Sequence, residues 1–106
     1  MVRATYTVED SKHTLVVKGH ANYDEYGKDI VCAGISALVQ ALIGWIEEKY
    51  YRCDCISVDT KAGEVIISCY GDDDISAVFY MAVVGLRQIA DSYPDHIQID
   101  IIGIAD

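Results

Sequence analysis

Basic residues are scarce in this sequence. Lys and Arg together number 8 against 17 Asp and Glu, which sets the formal net charge at −9. That deficit excludes nucleic acid as the primary ligand, because phosphate binding requires clustered cations. An acidic body attracts a basic peptide or protein and repels RNA. Proline occurs once, at Pro94, so no Pro-rich linker divides the chain. Cys32, Cys53, Cys55 and Cys69 form no C-x-x-C pair, and the three histidines complete no zinc spacing. No metal and no other cofactor is therefore expected. The opening "MVRATYTVED" has no long apolar run of the kind a secretory signal needs, and it reads as a strand. The longest apolar stretches are interrupted at Gln40, Gly44 and Trp45 before turning charged, so no membrane span is expected. Without export signal or span, the protein is expected in the cytoplasm with its four cysteines as reduced thiols.

Apolar residues, in contrast, are plentiful, at 52% of 106 residues. That suffices for one core without disulfide staples, so residues 1–106 are expected to form a single domain. The fraction is somewhat high for a small monomer, and a homodimer is expected to cover the surplus.

The pattern along the chain alternates between two periods. "VRATYTVE" and "TLVVKGH" have the period of strands and flank the turn-rich "DSKH", which makes a hairpin. "IVCAGISALVQALIGWIEEKY" then carries Val31, Ile35, Leu38, Val39, Leu42, Ile43 and Ile46 at helical spacing, with Asp29 at the N-cap position. "CISVDT" and "EVIISCY" read as a second hairpin. "GDDD" (Asp72, Asp73, Asp74) opens a second helix with acids at its positive end, Pro94 follows the helix, and "IQIDIIGI" is a last strand. The order β-β-α-β-β-α-β predicts an α+β two-layer sandwich, two helices on one face of a mainly antiparallel five-stranded sheet. Cys53 and Cys55 are expected on one face of their strand. His13, in a turn, and His96, after Pro94, are expected to be solvated.

The chemistry concentrates in "GHANYDEYGKDIVCAGISAL", residues 19–38. Cys32 falls in the first turn of the predicted helix, where unpartnered amides and the helix dipole stabilise a thiolate and lower the thiol pKa. The same amides can receive the oxyanion formed when that thiolate attacks a carbonyl. His20, at the end of the strand beneath, can exchange a proton with the thiol and with a leaving amine. Asp29 either caps the helix through the Cys32 amide or orients His20, and both roles remain open. Ser36, one turn beyond Cys32 on the same face, braces the site or bonds back to a backbone carbonyl. In the loop, Gly27 is a candidate hinge and Tyr23 and Tyr26 are candidate substrate contacts, so a loop that opens for a peptide and then covers it is expected.

"GHA", then a short loop, "GKDIVCAGISAL" and, further on, "GLRQIADSYPDHIQI" make the whole chain resemble the ribosomal-processing cysteine protease family Prp. The resemblance implies a cysteine protease that removes a short N-terminal extension from the twenty-seventh large-subunit ribosomal protein, cutting after an aromatic residue and before a small one. It implies a homodimer as well. The family's dyad histidine falls on His20 and its nucleophile on Cys32, with Gly19 beside the histidine and Asp29 and Ser36 as supporting residues. Gly34 stands where relatives carry Ala, a difference expected to leave the chemistry intact. Two other classes compete with this reading. One is a non-catalytic, ribosome-associated module that holds a peptide in the same cleft; the other is a redox or metal protein built on Cys53 and Cys55.

Overall fold

In the computed structural model, which describes residues 1–25, 27–49, 53–59, 62–71 and 73–103 (the side chains of 53 and 54 excepted), the two periods become two layers. Strands β1 (Val2–Glu9) and β2 (Lys12–Lys18) pair antiparallel around Asp10 and Ser11. Both turn residues take left-handed backbone angles, φ 49° and 65°, and this matches the right-handed twist of a two-residue hairpin. Helix α1 (Ile30–Lys49) follows, then strands β3 (Cys53–Asp59) and β4 (Glu64–Tyr70), helix α2 (Asp73–Ser92) and strand β5 (Ile97–Ile102). The sheet order is β3-β4-β2-β1-β5. β5 runs parallel to β1, and every other pair is antiparallel. The predicted α+β order is thus the observed one.

Alternation along the strands divides the sheet into two faces. Val2, Ala4 and Tyr6 of β1, Leu15 and Val17 of β2, Ile67 of β4 and Ile97 of β5 are buried on the face beneath the helices. The opposite face carries Arg3, Thr5, Thr7, Thr14 and Lys18, with a Thr14–Ser68 hydroxyl bond of 3.1 Å crossing from β2 to β4. α1 buries Val31, Ile35, Val39, Leu42 and Ile46, and α2 buries Ile75, Phe79, Ala82, Val83 and Leu86. Each fully buried large side chain contributes about 1.5–3 kcal/mol. The helices approach closely where one of them lacks a side chain. A Cβ on Gly85 would stand 2.8 Å from both methyls of Leu38.

Several expectations are corrected. β2 stops at Lys18 rather than running on to His20, because Gly19 leaves the strand at φ +100°. α1 is long and apolar enough to cross a membrane, since its charges fall only in the last turn and Gln40, Gly44 and Trp45 do not break it. Here its apolar stripe lies on the sheet. β3 has a register shift that sets Cys53 opposite Cys69 and Cys55 opposite Ser68, so the simple two-residue period fails between the two cysteines. Cys32 and Cys55 are free, but Cys69 is disulfide-bonded, so the four expected thiols are not all thiols. Asp72, expected with Asp73 and Asp74 at the opening of the second helix, lies outside the described residues.

His13 is also not solvated. It is 3% exposed, shares a 2.8 Å hydrogen bond between its Nδ1 and the Tyr6 hydroxyl, and packs with Tyr6 against the Phe79 ring. The inward register of β2 puts it there, opposite Val8 and Cys69. Burial pushes the Tyr6 phenol up to about 12 and lowers the imidazole below its ordinary 6.5. A histidine that resists protonation when folded binds fewer protons than the unfolded chain below pH 6.5, so stability falls as pH drops through that value. Thermal unfolding between pH 7.5 and 5 is expected to show this slope. The Tyr6→Phe/His13→Leu pair, which removes both polar partners together, is expected to flatten it.

Candidate functional site

The site is built where the β1–β2 hairpin hands the chain to α1. Gly19 fits there because it has no side chain; a Cβ would collide with the backbone carbonyl of Met1. Its amide donates to the Gly63 carbonyl at 2.8 Å, which ties the end of β2 to the β3–β4 turn. His20 comes next and is exposed, whereas Ala21 is buried. The Ala21 carbonyl accepts a 2.8 Å hydrogen bond from Nδ1 of His96. Asn22 has φ 53°, a left-handed turn that Asn tolerates better than most residues. Tyr23 then lies edge-on against both Tyr93 and His96, its ring centroid 5.3 Å from each.

Asp29 closes the loop. Its Oδ1 accepts the Cys32 amide at 2.9 Å, the bond expected of an N-cap three residues upstream. Its Oδ2 accepts the amides of Tyr23 at 2.9 Å and Asp24 at 3.4 Å. Desolvation pushes the Asp29 carboxyl upward, but these donors outweigh it and leave the group below its ordinary 3.8. The cap therefore stays ionised throughout the neutral range. Of the two roles left open by the sequence, capping is the one made here, and no hydrogen bond joins Asp29 to His20 among the described residues.

His20, Cys32, Gly19, Gly27, Asp29 and Ser36 all line one cleft of about 650 Å³. One wall is a stripe of α1 at one-turn spacing, Cys32, Ser36, Val39, Gln40 and Ile43. The other wall is the closing end of the β3–β4 hairpin, Val58, Asp59, Gly63, Glu64 and Val65, and Val2 and Val17 lie between the walls. The cleft is polar around His20 and Cys32 and apolar toward Ile43. Asp24, Asp29, Asp59 and Glu64 contribute to its lining and, among the described residues, no Lys or Arg does, although Lys18 pairs with Glu64 at 3.3 Å. Cys32 and His20 share the cleft without a hydrogen bond between them. The Ser36 hydroxyl faces the same space and makes no bond back to a backbone carbonyl among the described residues.

Chemically, a thiol and an imidazole that open into one groove can cleave a peptide by acyl transfer. Among the described residues no cluster of His, Cys, Asp or Glu could hold a metal ion. Tyr23, expected as a substrate contact, is 42% exposed but spends one edge on Tyr93 and His96. Tyr26 lies outside the described residues. The sequence reading missed His96, Tyr93 and Gly63. His96 was expected in solvent, yet it is part-buried and bonded to the residue after His20. The aromatic cluster "YPDH" just after a helix was the signal available for it.

A family model described as "Cysteine protease Prp" matches residues 1–98. The ribosomal processing cysteine protease Prp of Mycoplasma genitalium is 37% identical over 91 residues, 85% of this chain and 89% of that protein. A crystal structure of the ribosomal processing protease Prp from Staphylococcus aureus, in complex with a covalently linked product peptide, superposes with a TM-score of 0.85 at 30% identity. The match covers 95% of this chain and 99% of that one. A second structure of the same Staphylococcus aureus protease, with a substrate peptide, has a TM-score of 0.78 at 30% identity and the same coverage.

Asp29→Ala removes the α1 cap and the acceptor for two loop amides at once. Its expected cost in chemical unfolding is about 1 kcal/mol, with faster proteolytic nicking within residues 22–28, and Asp29→Asn is expected to retain most of the stability.

Proposed function

The chain belongs to the Prp family of ribosomal-processing cysteine proteases, and on that footing we propose that it removes the short N-terminal extension of the twenty-seventh large-subunit ribosomal protein, cutting after an aromatic residue. The observation that carries this reading is a single cleft with Cys32 and His20 at its polar end and an apolar trough along α1 beyond them. An extended peptide laid in that trough buries apolar side chains between Val39 and Ile43 on one wall and Val58 and Val65 on the other. The acids of the lining favour a basic ribosomal protein, and salt weakens that preference.

In the proposed reaction, His20 takes the Cys32 proton and the thiolate attacks the scissile carbonyl. Donors at the α1 N-terminus receive the oxyanion. The Cys32 amide is occupied by Asp29 in this structure, so it joins them only when the carboxylate swings aside, as the loop hinged at Asn22 and Gly27 opens. His20 then protonates the leaving amine, and water hydrolyses the thioester to free Cys32. Ser36 borders the substrate on the same helical stripe. The protease acts in the cytoplasm as a homodimer and needs no cofactor.

The test is incubation with the N-terminally extended ribosomal protein followed by intact-mass measurement. Wild type is expected to release the extension in one cut. Cys32→Ala is expected to bind the substrate and release nothing. Cys32→Ser is severely impaired, because a hydroxyl lacks the acidity of a thiol. His20→Ala is expected to lose about 10²–10⁴ in rate. Cleavage at the normal rate by Cys32→Ala would sink the assignment; binding without a product in the wild type would make the chain a peptide-holding module.

A further inference from the structure

Gly63 sits in the β3–β4 turn, far in sequence from the His and Cys motifs, and its surroundings are unusual. A Cβ built on it would stand 2.8 Å from both Cε1 and Nε2 of His20 and 2.9 Å from the Gly19 carbonyl, closer than real Cβ atoms approach. Its backbone is left-handed, φ +64°, and its carbonyl holds the Gly19 amide at 2.8 Å. The hairpin therefore meets this segment twice: backbone to backbone at Gly19, and Gly63 against the ring edge of His20. His20 is exposed on its cleft side, and its own β-strand ended two residues earlier.

We propose that Gly63 is a positioning residue for His20: by carrying no side chain it lets the β3–β4 turn close on the Cε1–Nε2 edge and fixes the ring in the cleft that Cys32 lines. The inference rests on the dyad reading above. A methyl group at 63 displaces the imidazole, because the surrounding backbone of Gly19 leaves it no other direction to yield. Displacing a catalytic group by about 1 Å costs on the order of 10²-fold in rate. Gly63 borders the cleft beside His20, so the methyl disturbs the imidazole more than the apolar contacts of Val39 and Ile43 with the substrate.

Gly63→Ala is to be compared with Gly103→Ala. Gly103 has a similar left-handed backbone, φ +71°, and a Cβ there would meet, among the described residues, the Val8 carbonyl alone, at 3.2 Å, so it carries the strain without the imidazole. Both variants are checked for fold by circular dichroism, then assayed for kcat, KM and the pH profile of kcat/KM on the extended ribosomal protein. Gly63→Ala is expected to lose about 10²-fold in kcat, with a far smaller change in KM and the acidic limb of the profile moved, whereas Gly103→Ala keeps wild-type kinetics. A folded Gly63→Ala with the wild-type kcat and profile, or with no greater loss than Gly103→Ala, would overturn the proposal. If Gly63→Ala does not fold, the contact is read in the wild type by NMR. A cross-relaxation peak between His20 Hε1 and the Gly63 Hα protons supports it, and its absence refutes it. Cys32→Ala and His20→Ala run alongside keep the two readings apart. Activity in those variants refutes the dyad, and their inactivity beside a normal Gly63→Ala refutes the positioning role alone.

Discussion

One carboxylate holds the site together. Asp29 accepts the Cys32 amide in the first turn of α1 and two amides of the preceding loop. Each bond satisfies a donor that a helix start or a tight loop would otherwise leave to water. Because all three meet at one group, the helix origin and the course of the loop are set together. The capped amide is that of Cys32 itself, so the same carboxylate fixes where the sulfur-bearing residue stands on the helix.

The fold was readable because its two periods are clean. Residues 2–7 alternate as a strand between buried and more exposed positions, and Val31, Ile35, Val39, Leu42 and Ile46 follow one helical face. Reading failed where tertiary contacts override local pattern. His13 looked like a turn residue but lies one register step inside the sheet, opposite Val8, where Phe79 covers it. β3 departs from a period of two because of a shift between residues 53 and 55 that no local residue type announces.

The site was legible in part for a related reason. Cys32, Asp29, His20 and Ser36 fall within seventeen residues, so local spacing and the resemblance both reach them. Gly63 and His96 act on the same loop from the β3–β4 turn and the α2–β5 turn. Their roles exist only once the sheet order β3-β4-β2-β1-β5 is known, because that order brings three separate chain reversals to one end of the sheet. A glycine in a hairpin turn has an adequate local explanation, and nothing in its neighbours points to an imidazole.

The parallel pairing of β5 with β1 has a consequence for how the molecule comes into being. Val2 sits opposite Ile97, and the Val2 amide bonds the His96 carbonyl, so the first strand made gains its second neighbour only after nearly a hundred residues have been synthesised. The same late segment brings His96 to the Ala21 carbonyl and Tyr93 to Tyr23. A nascent chain still on the ribosome can form the β1–β2 hairpin and α1, yet its loop has nothing to rest on. The packing of that loop thus arrives with the last strand rather than with the hairpin and α1.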